Sequence, residues 1–256
     1  MNSANPDKST ILFLPDIGCS SEMWMNVANH YKEQYNCVLI DFAGFANTPA
    51  INDYYTKQYV EEIESYVKQQ NWSNLILFGH NFGGFIACQL AANKKINIRK
   101  IITTDFFPNQ RLVHEQKYKP NKIPEIIQQL KEIYCYAPLK DFIAFQRKII
   151  HTIYTNDKML AEKILSWQLA SDRKTIINVL INQLTTDLYP YLKNNEIPWL
   201  NFNVGRTFEK KAEIHTLERY INSKNISQIT THHSKTFFFI DNENWFIKKT
   251  KKFINN

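Results

Sequence analysis

A strand that runs straight into a glycine turn and then into a helix is the feature that most constrains the fold of this chain. It reads LILFGHNFGGF over residues 75–85, with Asn81 at the tip of the turn. Glycine is needed where the backbone takes a positive φ or where a helix and a strand approach closely. Gly79, Gly83 and Gly84 therefore predict a sharp turn in which the strand and the following helix lie in contact.

Apolar segments of strand length alternate with helical patterns along most of the chain. The predicted strands are residues 11–14, 37–40, 75–78, 101–104, 198–204 and 226–230. The predicted helices begin after Ser20 or Ser21, after Thr56 and after the glycine turn, and two more cover residues 212–221 and 243–254. Strands that alternate with helices at this spacing favour an α/β fold, with a doubly wound, mostly parallel sheet covered on both faces.

The alternation stops between residues 108 and 186, where helical patterns at 126–134, 142–153 and 161–169 dominate. We therefore expect a core formed by residues 1–107 and 187–256, with residues 108–186 inserted as a helical lid. A chain of 256 residues has the length for one such domain.

Composition limits the partners and the compartment that we expect. No apolar run is long enough for a spanning helix and the first residues are polar, so we expect a cytoplasmic protein without membrane insertion. The four cysteines are widely spaced, which gives no reason to expect a metal or another cofactor. The formal charge of +7 favours an acidic partner, such as a phosphorylated or carboxylated ligand or an acidic carrier protein, and its spread along the chain argues against nucleic acid.

Five segments together resemble the α/β-hydrolase superfamily, and in particular its small, lidded carboxylesterase and thioesterase-like members. They read ILFLPDIGCSSEMW, DFAGFANT, GHNFGG, IITTDFFP and DLYPYLKNNEIPWLNFNVG. The six glycines of the chain, Gly18, Gly44, Gly79, Gly83, Gly84 and Gly205, all stand where turns of this fold use glycine. The resemblance covers almost the whole chain and implies the α/β-hydrolase fold.

The catalytic triad that the resemblance implies is missing. In such hydrolases a serine at the turn attacks the substrate, a histidine takes its proton and a carboxylate orients the histidine. The corresponding positions here hold Asn81, Thr236 and Phe208. A carboxamide cannot form an acyl-enzyme. We therefore expect no serine-hydrolase activity and interpret the chain as a catalytically degenerate pseudo-hydrolase that binds a small apolar ligand or a partner protein.

An enzyme of altered mechanism is the alternative, either an esterase or thioesterase-like hydrolase or a lyase. One base in the pocket suffices for general-base catalysis without covalent attack. The candidate bases or orienting acids are Asp105, Glu209, His232 and His233. A serine, cysteine or threonine hydrogen-bonded to an imidazole in the cleft would contradict the degenerate interpretation. Large side chains filling the cavity would instead favour recognition of an acidic protein at the surface.

Six residues are predicted to line the old substrate pocket and bind a ligand there. They are Asn81, Phe82, Ile17, Asp105, Trp24 and Phe237. The resemblance implies that the backbone N–H groups of Phe82 and Ile17 form the oxyanion hole, which could still hold a carbonyl or a carboxylate. Asp16 would bring negative charge to this hole, which argues against an anion there unless its side chain points away.

Overall fold

The computed structural model describes residues 8–52, 56–110, 123–204, 225–231 and 234–256 of the chain. These residues form one six-stranded sheet in the order β2-β1-β3-β4-β5-β6, and every pairing is parallel. The strands are β1 (Thr10–Leu14), β2 (Asn36–Leu39), β3 (Leu75–His80), β4 (Ile98–Thr104), β5 (Trp199–Val204) and β6 (Ile226–Thr231). The predicted α/β class is confirmed, and each predicted strand is present.

Helices cover both faces of the sheet, so the central strands are apolar throughout instead of alternating. Every residue of β1 and β3 is buried. Successive side chains of a strand point to opposite faces, and Leu12 and Phe13 accordingly belong to two separate hydrophobic clusters. The structure places Trp24 in the second cluster, fully buried and stacked on Phe239 at 4.5 Å. Trp24 is therefore part of the core and does not line the mouth of a cleft.

The helices flank this sheet in the order that the alternation predicts. They are α1 (Met25–Asn29), α2 (Thr56–Gln69), α3 (Phe82–Asn93), α4 (Ile123–Lys131), α5 (Leu139–Ile149), α6 (Lys158–Leu169), α7 (Arg173–Thr185), α8 (Tyr189–Lys193), α9 (Phe238–Asp241) and α10 (Glu243–Asn255). The predicted helix at 212–221 lies outside the described residues. No helix among those described combines the length and the apolar character that a membrane crossing requires.

Five of these helices, α4 to α8, lie between β4 and β5, and the first four of them, α4 to α7, are called the inserted helices below. A π-helical turn follows α4 at Glu132–Tyr136, and a second follows α5 at Ile150–Tyr154. The guanidinium of Arg173, at the start of α7, donates to the carbonyls of Ile133 and Ala137 in and after the first turn. This contact fixes the first π turn against α7.

Candidate functional site

The turn between β3 and α3 has the strained geometry that the glycines predict. Asn81 lies at φ 41° and ψ −96°, and its N–H donates to the carbonyl of Thr104 at 2.9 Å. A Cβ atom on Gly83 would lie only 2.1 Å from the carbonyl oxygen of Leu14, so no side chain fits there. The start of α3 therefore lies directly against the end of β1. The turn stands at the carboxyl end of the sheet, where open α/β folds bind their ligands.

The side chain of Asn81 is held by glutamines and does not cap α3. Its Oδ1 accepts hydrogen bonds from Nε2 of Gln183 in α7, at 3.0 Å, and from Nε2 of Gln110, at 3.4 Å. Asn81 forms no side-chain capping bond and is half-buried. Because its oxygen is engaged, the amide nitrogen is the group of Asn81 that is left to contact a ligand.

The two predicted oxyanion-hole donors are brought together, and a carboxylate of this chain occupies them. Oδ1 of Asp16 accepts from the N–H of Ile17 at 2.7 Å and from the N–H of Phe82 at 3.3 Å. Phe82 begins α3, where the helix dipole favours negative charge. The side chain of Asp16 points into the hole, so the expectation that these N–H groups are available to a ligand carbonyl or carboxylate is corrected.

Burial sets the protonation of this carboxyl group. Asp16 is only 1% exposed, and desolvation raises its pKa to about 7 despite the opposing hydrogen bonds from Ile17 and Phe82. The charge of Asp105 raises the pKa of Asp16 further. Burial, and then the charge of Asp16, also raises the pKa of Cys19 well above its usual range. Cys19 therefore stays a neutral thiol and not a nucleophilic thiolate.

His80 lies under the turn with no exposed surface. Its Nδ1 is 2.7 Å from Oγ1 of Thr104 and 3.1 Å from the carbonyl oxygen of Thr104. Its Nε2 is 3.9 Å from Oδ2 of Asp16, and its ring packs edge-on against Phe237 at 4.9 Å. The imidazole is thus enclosed between the end of β4, the oxyanion loop and Phe237.

The contact between His80 and Thr104 is the kind of pair that would count against a degenerate site. However, Thr104 is as fully buried as His80, and it lies at the end of β4 and not at the tip of the turn. The carbonyl oxygen of Thr104 can only accept, which favours a proton on Nδ1 of His80. With that proton the imidazole donates at Nδ1 and does not act there as a base.

Thr236 and Phe237 lie on the other side of His80. The N–H of Thr236 donates to Ile153 and that of Phe237 donates to Tyr154, which ties both residues to the second π turn. The rings of Phe237 and Tyr154 stack at 5.4 Å. Thr236 is 2% exposed, and among the described residues its Oγ1 has no hydrogen-bond partner. The place where the resemblance expects a histidine therefore carries a hydroxyl beside an aromatic stack.

Asp105 directly follows β4 and lies at φ 52°, with its N–H donating to Phe202 at 2.7 Å. It is buried, and its charge acts on Asp16, so the structure places it near the oxyanion hole. Four predicted site residues lie outside the described residues. They are Phe208, Glu209, His232 and His233.

Sequence reasoning missed the groups that reach the turn from the inserted helices and from the segment before them. Gln183 and Gln110 hold Asn81, and Tyr154 stacks on Phe237. No local pattern distinguishes these residues from other polar or aromatic positions, because their role depends on how the insertion packs on the sheet.

Comparison with known proteins agrees with the fold described above. Residues 9–130 match the sequence model of the α/β hydrolase fold family. The fold is similar to a hydrolase from Pseudomonas aeruginosa, with a TM-score of 0.80, 12% identity and coverage of 99% of this chain and 92% of that one. It is also similar to MenH from S. aureus, with a TM-score of 0.78, 15% identity and coverage of 99% and 96%.

A curated relative matches over a shorter part of the chain. The biotin biosynthesis bifunctional protein BioHC of Cellvibrio japonicus is 27% identical over 121 residues, which are 47% of this chain and 23% of that protein. The match thus spans about a quarter of the relative's length. The solved structures show that this chain has the α/β-hydrolase fold, and the family model matches slightly less than half of the chain.

Proposed function

We propose that this chain is a catalytically degenerate α/β-hydrolase-fold protein that binds a small apolar molecule at the Asn81 turn and does not hydrolyse it. The single observation that carries the proposal is the position of Asp16. Its carboxylate accepts both N–H groups that would have to stabilise the oxyanion of an ester hydrolysis.

A substrate carbonyl would have to displace Asp16 from these two donors. Displacement would leave a buried carboxylate without its hydrogen bonds, and that loss costs more than a typical hydrogen bond contributes. Asn81 offers no nucleophile at the same place. Both halves of acyl transfer, the attack and the stabilisation of the oxyanion, are therefore unsupported by the residues around this turn.

Binding is supported by the surroundings of the turn. Asn81, Gln110 and Tyr154 are half-buried, and Gln183 of the inserted helix α7 donates a hydrogen bond to Asn81. Apolar pockets with a few placed polar groups are typical of small-molecule sites. We propose that the inserted helices act as the lid over such a ligand, with the amide nitrogen of Asn81 donating to it.

Ester and thioester hydrolysis by the wild-type protein and by Asn81→Ala and Asn81→Ser tests the loss of catalysis. We expect no saturable turnover above a heat-inactivated sample for any of the three, and no labelling by a fluorophosphonate probe that reacts with serine nucleophiles. The Asn81→Ser variant is the most discriminating of the three, because its new hydroxyl should not hydrolyse the ester while Asp16 occupies the oxyanion hole. Turnover that survives Asn81→Ala would place an active site elsewhere, and strong turnover by Asn81→Ser would show that a working base remains.

A specific observation favours a second function, an enzyme that uses a pocket base. The pKa of Asp16, raised to about 7 by burial, is suited to proton transfer at neutral pH. Its partner would be His80, whose Nε2 lies 3.9 Å away. Such an enzyme would show hydrolysis or elimination that increases through pH 7 and disappears in Asp16→Asn. Thr104→Val would separate this mechanism from one that uses the buried threonine hydroxyl, because only the latter loses activity with that change.

A further inference from the structure

The carboxylate in the oxyanion hole changes the kind of ligand that the turn can hold. We propose that the Asn81 turn binds an amine with an apolar body, whose protonated nitrogen pairs with Oδ2 of Asp16. This inference rests on the proposed function and adds the chemical class of the ligand. The oxyanion hole of a hydrolase normally binds an anion or an ester carbonyl, and the carboxylate of Asp16 disfavours both of these ligands here.

The two oxygens of Asp16 differ in their hydrogen bonds. Oδ1 accepts from Ile17 and Phe82, whereas no hydrogen bond within the described part of the chain reaches Oδ2. In the same part of the chain, the one ion-pair contact of this carboxylate is with Nε2 of His80, at 3.9 Å. No described lysine or arginine lies within ion-pair distance of Asp16. Among the described residues, Oδ2 thus has no N–H donor, and a ligand N–H could donate to it.

Burial of the Asp16 carboxylate also favours a cationic ligand. A carboxylate removed from water either gives up its charge or pairs with a cation. Asp105 places a second carboxyl group close enough to disfavour the charge of Asp16. An ammonium group beside Oδ2 would relieve both the desolvation and the repulsion, whereas a carboxylate ligand would add a third negative charge.

Aromatic residues surround this part of the site. Phe237 stacks on Tyr154 and packs against His80, and the charge of Asp16 acts on Tyr154, so aromatic rings lie near the carboxylate. Aromatic faces attract ammonium groups and also bury the apolar part of an amine. The buried hydroxyl of Thr236, next to Phe237 in the chain, has no partner in the described structure and is an independent sign of a polar group awaiting a ligand.

Binding should depend on pH because the ionised form of Asp16 pairs with the amine. The titratable and charged groups around Asp16 come from five places: Cys19 after β1, His80 in β3, Asp105 after β4, Tyr134 and Tyr154 in the π turns, and Arg173 in α7 beside Tyr134. The pKa values of Cys19, Tyr134 and Tyr154 are raised, so these groups stay neutral between pH 6 and pH 8. Asp16 itself titrates in that interval, with a pKa of about 7.

Calorimetric titration with benzylamine, benzyl alcohol and benzoate at pH 6, 7 and 8 tests the inference. Benzylamine stays protonated over this interval, so a change in affinity reports on the protein. We expect benzylamine to bind more tightly than the other two, with an affinity that increases about tenfold from pH 6 to pH 8 as the fraction of ionised Asp16 rises. Benzoate binding as tightly as benzylamine, or an affinity that falls with pH, would overturn the inference.

Two variants sharpen the test. Asp16→Asn should remove both the preference for the amine and its pH dependence, while Asp141→Asn, the same change on an exposed residue of α5, should keep both. The wild-type pH series decides the matter even if Asp16→Asn folds poorly. Ester turnover measured on the same samples keeps the two proposals apart. Turnover refutes the loss of catalysis, whereas absence of both turnover and amine preference refutes the ligand class alone.

Discussion

Replacing Asp16 by Asn should make the protein more stable at pH 8 and leave its stability nearly unchanged at pH 4. The pKa of Asp16 is raised by burial from 3.8 to about 7 in the folded state. Since the folded pKa lies above the unfolded one, folding favours the protonated form, and the folded state loses stability as the pH rises from about 4 to about 7. Asn has nearly the same shape, keeps an oxygen for the N–H groups of Ile17 and Phe82, and carries no charge at any pH.

The size of the effect follows from the same shift. About three pKa units at roughly 1.4 kcal/mol each give on the order of 4 kcal/mol above pH 7. Structural relaxation around the ionised group lowers this figure, so we expect Asp16→Asn to gain between about 1 and 4 kcal/mol at pH 8.

Urea unfolding followed by tryptophan fluorescence at pH 4, 5, 6, 7 and 8 measures the difference. Asp141→Asn is the matched control, because it makes the same chemical change on an exposed side chain. The two stability curves, wild type and Asp16→Asn, should separate progressively between pH 5 and pH 8. A wild-type protein that is the more stable of the two at pH 8 would refute the reasoning, since it would mean that the ionised carboxylate stabilises the turn.

Three further changes test the geometry of the turn. Asn81→Gly should be more stable than Asn81→Ala by about 1–2 kcal/mol in urea unfolding. Both variants lose the hydrogen bonds from Gln183 and Gln110, but only alanine is strained by the positive φ. Equal stabilities would argue against that strain. Gly83→Ala should fail to give soluble, folded protein by circular dichroism, since its Cβ would lie 2.1 Å from the carbonyl oxygen of Leu14; a normally stable variant would contradict the close packing of α3 on β1. Trp24→Phe removes the 3.0 Å hydrogen bond from the indole N–H to the carbonyl oxygen of Leu14 and should lower the free energy of unfolding by about 1–3 kcal/mol. The affinity for benzylamine should stay unchanged, and a loss of that affinity would mean that Trp24 belongs to the ligand site.

The sheet could be predicted because its strands are buried on both faces and so read as continuous apolar runs. Residues 11–14 and 75–78 are such runs, and they correspond to β1 and to most of β3. The helix α7 was missed because its residues include Thr, Asn and several β-branched side chains, which are poor helix formers. Packing of Ile176, Ile177 and Val179 in the core stabilises α7. The local feature that indicates the start of this helix is Asp172, whose side chain accepts a capping hydrogen bond from the N–H of Thr175.

The site was predictable in its positions and not in its contacts. Asn81 at the tip of a strained turn follows from the glycines around it, and the N–H groups of Ile17 and Phe82 lie together as the resemblance implies. The direction of the Asp16 side chain depends on the distance between the loop after β1 and the start of α3, which are 66 residues apart in sequence. No pattern of residue types contains that distance.

The two π turns give the inserted helices an adjustable register. An α-helix rotates by about 100° with each residue, so the loss of one residue from a π turn would restore regular helix and swing the following side chains around the axis. A one-residue deletion within Ile150–Tyr154 would move Tyr154 off Phe237 while the sheet and the turn at Asn81 kept their places. A change in the length of this π turn could therefore change which ligand a related chain binds, without any substitution in the sheet or in the Asn81 turn.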